Sequence, residues 1–255
     1  MTNLAAAALV AASLLSGTAI AQQAKPTIVL VHGAFADASS WNGVITHLQK
    51  DGYNTIAVAN PLRSVANDAR FVSDVIGSIE GPVVLVGHSY GGQVISNAAN
   101  GHENVRSLVY VAAFAPDVGE AAADLAGRFP GSTLVEALAA PVKLADGGID
   151  LYIDQAKFHA QFAHDVPSEA VAVMAAGQRP ITQAALTENS GEPAWKSIPS
   201  YFVYGDGDKN IPAKALGFMA ERAGSRRTVV VEGASHVVMI SKPEIVADVI
   251  ENAAK

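Results

Sequence analysis

Three residues far apart in the chain are of the types that together activate a hydroxyl. The stretch "LVGHSYGG" at 85–92 sets Ser89 among glycines at the end of an apolar run. It reads G-x-S-x-G as Gly87-His88-Ser89-Tyr90-Gly91, a strand-to-helix turn that holds a serine out at the top of a sheet. The bare pattern is weak, but "PVVLV" before it and "GQVISNAAN" after it supply the strand and helix it requires. A serine hydroxyl needs a base to act as a nucleophile. His236, in "VVVEGASHVV", follows the serine in the chain and comes just after the last apolar run. It is read as the general base, taking the Ser89 proton and later donating one to a leaving group.

The group that orients the histidine is less sharply marked. "YGDGDKNIP" offers Asp206 and Asp208, and either can hold the imidazole in one tautomer through its far nitrogen. Asp208 lies farther into the loop, where a side chain can turn toward the histidine; Asp206 is placed to cap or brace the turn. Asp37 and Asp117 also end strand-like runs, in less suitable positions. An oxyanion needs N–H donors, and Tyr90, at the start of the helix, supplies one from its backbone. The "HGAF" turn supplies the other, from Ala34 as first choice and Phe35 as second. His88 points the wrong way to serve its neighbour and is read as packing. His32 is a structural or oxyanion-loop residue, while His159 and His164 line an entrance or face solvent. No ligand spacing among these histidines makes a metal site, and no cofactor is expected.

The elements that must position these residues follow an alternating rhythm. Short strand-like runs at 27–33, 54–60, 82–87, 105–113, 200–208 and 226–236 alternate with helix-like stretches, which implies a mostly parallel sheet covered on both faces. "ANDARFVSDVIGSIE" reads as an amphipathic helix with Phe71, Val72, Val75, Ile76 and Ile79 toward one side. Two more helices are expected near 213–223 and 243–253. The region of about 115–195 interrupts the rhythm and is too long for a loop. It is read as a small, mainly helical cap inserted into one domain at 22–255, with "DLYIDQAKFHAQFAHDVPSEAVAVMAAGQ" helical. The site is then expected at the carboxyl ends of the strands, beneath the cap. Leu151, Phe158, Phe162 and Trp195, together with Phe35, are the candidate substrate-pocket residues.

Composition bounds the rest. The 255 residues carry a formal net charge of -7 and no cysteine, which excludes disulfides, thiol catalysis and thiolate metal sites. The mild acidity argues against a nucleic-acid surface. "MTNLAAAALVAASLLSGTAIAQQA" has an apolar core followed by small residues at Ala19 and Ala21, and residues 1–21 are read as a secretory signal peptide. A periplasmic or secreted protein with no stable membrane insertion after processing is the expectation.

"VLVHGAFADASSW", "GPVVLVGHSYGG", "VYVAAFAPDVGE" and "YGDGDKNIP…VEGASHVV" resemble segments of the α/β-hydrolase superfamily. The resemblance is to its short bacterial esterase and cofactor-free haloperoxidase-like branch, which is similar to plant methylesterases and hydroxynitrile lyases. It spans roughly 26–253 and is weakest over 120–195. The family's triad falls on Ser89, Asp208 and His236, and its oxyanion donors on Ala34 and Tyr90. The resemblance implies an α/β-hydrolase fold of about six strands, lacking the first two strands usual in the family. It also implies a carboxylesterase-like serine hydrolase, and the apolar cap residues Leu151, Phe158, Phe162 and Trp195 point to a small or medium, moderately apolar ester. Perhydrolysis uses the same triad, and hydroxynitrile-lyase chemistry favours a pocket cation, for which Lys143, Lys157, Lys196 and Lys209 are the candidates. A non-catalytic small-ligand-binding protein on the same scaffold is the remaining reading.

Overall fold

The computed structural model describes residues 25–255, so the leader read over 1–21 lies outside the described residues. The chain runs β1 (Thr27–Val31), α1 (Asn42–Lys50), β2 (Thr55–Val58), α2 (Val65–Gly77), β3 (Val83–His88), α3 (Tyr90–Ala98) and β4 (Val105–Val111). After the insertion it resumes with β8 (Ser200–Gly205), α9 (Ala213–Arg222), β9 (Arg227–Val231), α10 (Val238–Ser241) and α11 (Pro243–Ala253). The insertion holds α4 (Ala122–Gly127), α5 (Leu134–Ala137), β5 (Val142–Lys143), β6 (Ile149–Leu151), α6 (Gln155–Phe162), α7 (Ser168–Gly177), β7 (Ile181–Thr182) and α8 (Gln183–Thr187).

Six strands form one parallel sheet in the order β2-β1-β3-β4-β8-β9. The α/β-hydrolase fold expected of the sequence is therefore present, with six strands in its parallel sheet among the described residues. The central strands β3 and β8 are buried at every position, which is why they read as unbroken apolar runs. The edge strands β2 and β9 instead alternate between partly buried and exposed positions. The helix pairs α1 with α11 and α2 with α3 flank the sheet. On α2, Val72 and Ile76 are fully buried as expected, but Phe71 is 43% exposed; the inward stripe runs through Val65, Ala69, Val72 and Ile76 instead. That spacing keeps one face of the helix on α3.

The insertion departs from a purely helical cap. The run expected to be one helix begins in strand β6, where Leu151 pairs with Ile181 in a small antiparallel sheet. It then breaks between α6 and α7 at His164-Asp165-Val166-Pro167, because the residue before a proline avoids helical backbone angles.

Two polar clamps hold the cap to the sheet domain. Arg222 on α9 forks onto Glu120, from Nη1 to Oε1 at 2.9 Å and from Nη2 to Oε2 at 2.8 Å, while Arg128 adds a bond at 2.7 Å. On the other side, Arg63 reaches Asp150 of β6 at 2.7 Å, and Glu188 accepts from the Val65 and Ala66 N–H groups that open α2. Burial favours the neutral form of Glu120, but the bonds from Arg222, the Asp117 N–H and Arg128 outweigh it and hold the carboxyl at about 2.

A carboxyl whose pKa falls on folding stabilises the fold above its unfolded value, near 4.5 for Glu120, and loses that contribution as pH falls toward about 2. The native protein is therefore expected to lose stability through that acid window. Arg222→Leu should flatten this part of the Tm–pH curve and cost about 1–2 kcal/mol at neutral pH, allowing for solvent screening. An unchanged acid limb in the variant would show that the clamp contributes nothing.

Candidate active site

Ser89 stands at the junction of β3 and α3, the position where a serine usually caps the helix by accepting an N–H bond. Its side chain makes no such bond, because its backbone is held at φ 53° and ψ -124°. Close approaches impose this turn. A Cβ at Gly87 would lie 2.6 Å from the Gly91 carbonyl oxygen, and one at Gly91 would lie 2.5 Å from that of Val31. The Ser89 carbonyl accepts from Gly92 N–H at 3.0 Å and from Phe114 N–H at 3.1 Å, so β4 also grips the turn. The hydroxyl thereby has no hydrogen-bond partner among the described residues and lies in the wall of a cavity.

The loop after β1 packs directly on this turn. A Cβ on Gly33 would meet Ser89 Cβ at 2.6 Å and Tyr90 N at 3.0 Å. The Ala34 and Tyr90 N–H groups have no backbone acceptor among the described residues, whereas Phe35 N–H donates to the Arg179 carbonyl at 2.9 Å. Of the two donors expected from the "HGAF" turn, Ala34 is thus available and Phe35 is committed. The second choice is corrected by that bond.

Asp208 and His236 come from the loops after β8 and β9. His236 Nδ1 and Asp208 Oδ2 lie 2.6 Å apart, with both residues buried. Facing a carboxylate, Nδ1 carries the proton, and Nε2 is left as the basic nitrogen. Asp208 Oδ1 accepts from the Asn210 and Ile211 N–H groups at 2.7 and 3.0 Å, which fixes the carboxylate plane. Asp206 does a different job: its Oδ1 accepts from Gly233 N–H at 2.6 Å and braces the histidine loop. The structure therefore gives the two aspartates different partners.

His88 is fully buried, and its Nε2 donates to the His236 carbonyl at 3.1 Å. Burial, reinforced by the neighbouring His236, pushes its pKa well below the usual imidazole range, so it packs as a neutral ring 4.8 Å from the His236 ring. His32 is likewise buried, lowered by burial to about 4, with Nδ1 2.9 Å from the Gly33 carbonyl. His164 Nε2 lies 3.2 Å from the Gly233 carbonyl and so ties the cap to the histidine loop. His159 bonds the Val166 carbonyl within the cap.

The cavity above Ser89 measures about 600 Å³ and is lined by Ala34, Phe35, Tyr90 and Leu151 among the expected residues. Three expected lining residues are not in it. Phe158 and Phe162 are fully buried as cap core, and Phe162 backs onto His236 with ring centroids 5.2 Å apart. Trp195 is drawn away by its Nε1–H bond to the Pro116 carbonyl at 2.9 Å. An apolar side chain in an insertion serves cap core or cavity equally well, so residue type alone did not separate them. Asn210, Ile211 and Phe114 line the cavity without having been singled out. The first two follow Asp208 directly, and Phe114 follows the end of β4, so the strand-end rule was the clue to them. None of Lys143, Lys157, Lys196 and Lys209 lines the cavity; Lys157 and Lys209 bond carbonyls of Glu136 and Ala160, and Lys196 pairs with Asp117.

A family model described as "Alpha/beta hydrolase family" matches residues 28–249. Alpha/beta hydrolase nvfD of Aspergillus novofumigatus is 28% identical over 251 residues, covering 90% of this chain and 97% of that protein. Methylesterase 8 of Arabidopsis thaliana is 24% identical, covering 88% of each chain. The crystal structure of polyneuridine aldehyde esterase superposes with a TM-score of 0.79 at 19% identity, covering 91% of this chain and 100% of that one.

The division of labour between the two aspartates is open to test with a fluorophosphonate that labels activated serines. Asp208→Asn is expected to slow labelling of Ser89 by about 10³- to 10⁴-fold, as loss of the orienting carboxylate does in a triad. Asp206→Asn should change the rate less than about ten-fold while lowering Tm. Equal effects on labelling would remove the distinction drawn here.

Proposed function

The chain belongs to the alpha/beta hydrolase family, and from that premise we propose that it hydrolyses uncharged carboxylic esters of small to medium, moderately apolar substrates. The observation that carries this reading is the free Ser89 hydroxyl in the wall of an apolar cavity, with the buried Asp208–His236 pair on neighbouring loops. The likeness to methylesterase 8 adds support. Among the described residues the cavity lining has no basic side chain, and its one charge, Glu136, is exposed, which suits neutral substrates better than carboxylates.

Ser89 Oγ attacks the ester carbonyl carbon while its proton passes to His236 Nε2. The Asp208 carboxylate faces the resulting imidazolium through Nδ1–H. The oxyanion takes hydrogen bonds from the Ala34 and Tyr90 N–H groups, each worth roughly 3 kcal/mol in the transition state. Collapse breaks the carbon–oxygen bond to the alcohol, which leaves with the proton from His236. Water then attacks the acyl carbon, giving one proton to His236, and the second collapse returns that proton to Ser89 as the acid departs. Lyase chemistry, which favours a cation beside the triad, has less support, because none of the described residues lining the cavity is a lysine or arginine.

Wild type should turn over p-nitrophenyl acetate and butyrate, and Ser89→Ala should lower kcat by about 10⁴- to 10⁶-fold. If the wild type gives no burst, no turnover and no serine adduct, the ester reading is abandoned.

We also propose export, from the leader in residues 1–21. Protein released by osmotic shock or found in the medium should have a mass beginning at Gln22. Intact protein starting at Met1 and retained in the cytosol would overturn this.

A further inference from the structure

A second cavity, of about 320 Å³, lies beyond the loop that follows β1. Phe35 lines both this cavity and the one at Ser89. Its far wall comes from Val173 and Met174 on α7 and Ile240 on α10. Its polar rim comes from Asp37, Ser39, Ser40, Asn42 and Gln178. Asp37 Oδ1 accepts from the N–H and hydroxyl of Ser39, and Ser40 Oγ donates to the Asp37 carbonyl at 2.6 Å. Gln178 is taken up by the backbone of Ile153 and Ala175. Its hydrocarbon surface is the side formed by Ala36, Ala170, Val173, Met174 and Ile240.

Phe35 is held in place firmly. It is 4% exposed, its N–H bonds the Arg179 carbonyl, and its ring stands edge-on to Phe162 with centroids 6.2 Å apart. Its backbone has φ 61°, in the left-handed region that a bulky residue occupies only at a cost and that glycine fits freely. A large ring is kept where the backbone disfavours one, at the wall common to two cavities.

We propose that the Phe35 ring is the partition that limits the length of a hydrocarbon chain whose carbonyl sits at Ser89, by closing the first cavity off from the second. The choice of a carbonyl ligand rests on the ester reading; the partition itself is a matter of packing. Removing the ring joins the cavities into one channel leading from Ser89 toward the apolar side chains of α7. Each further methylene buried there is worth about four-fold in affinity.

The test measures binding of straight-chain methyl ketones, from hexanone to tetradecanone, by calorimetry, with hydrolysis of p-nitrophenyl acetate through dodecanoate in parallel. In wild type the affinity should rise with length and then stop. Phe35→Ala should carry the rise on by at least two methylenes, about ten-fold or more at the longer lengths. Met174→Trp should cancel that gain in the Phe35→Ala background and leave the wild-type limit unchanged. An identical limit in wild type and folded Phe35→Ala overturns the proposal, as does a Met174→Trp effect of equal size in wild type. Should Phe35→Ala fail to fold, Phe35→Leu serves the same comparison with a smaller expected shift. Absence of ester turnover with a shifted ketone limit would sink the ester reading and uphold the partition. Ester turnover with an unshifted limit would do the reverse.

Discussion

The backbone of Ser89 is the constraint on which the rest of the site depends. A serine at the first position before a helix has an easy alternative, which is to cap it. The observed angles rule that out and leave both its hydroxyl and the Tyr90 N–H unspent. A residue held in such a conformation costs of order 1–3 kcal/mol and persists only when its surroundings over-determine it. Here they do, because β1, β4 and α3 approach the turn so closely that a side chain on Gly33, Gly87 or Gly91 would collide with it. The same approach that strains the serine brings the Ala34 loop against Tyr90. Nucleophile and oxyanion donors are therefore one packing event.

The base is positioned by a separate set of contacts. The loop bearing His236 is gripped from the sheet side by Asp206 and Asp208, and from beneath by His88. From the cap, Asp165 accepts from the Ser235 N–H and His164 bonds the Gly233 carbonyl. A neutral buried imidazole suits this role, since burial of His88 disfavours its charged form. The cap is thus more than a roof over the cavity. Through α6 and the turn after it, it supports the histidine loop, with Phe162 packed against the His236 ring. The clamps at Glu120 and Asp150 keep that support in register with the sheet.

The legible part of this protein was what depends on local periodicity and chain order. Continuous apolar runs marked the central strands because both of their faces are covered. The G-x-S-x-G turn was legible because its glycines answer to contacts that any strand-to-helix turn of this kind must make. The cap was less legible. Its core and its cavity wall draw on the same apolar residue types, so Phe158, Phe162 and Trp195 could be assigned to the cavity as easily as Leu151.

From the sequence alone came the parallel sheet, the serine at its strand-end turn, the late histidine and the pair of aspartates beside it. The tertiary structure decided which aspartate faces the imidazole, which N–H after β1 is free, and which cap residues line the cavity. The physical reason is the same in each case. Asp206 and Asp208, like Ala34 and Phe35, are close neighbours in one loop, with the same residue type or the same backbone donor. Only distant partners tell them apart: Gly233 and His236 for the aspartates, and the Arg179 carbonyl for the two N–H groups.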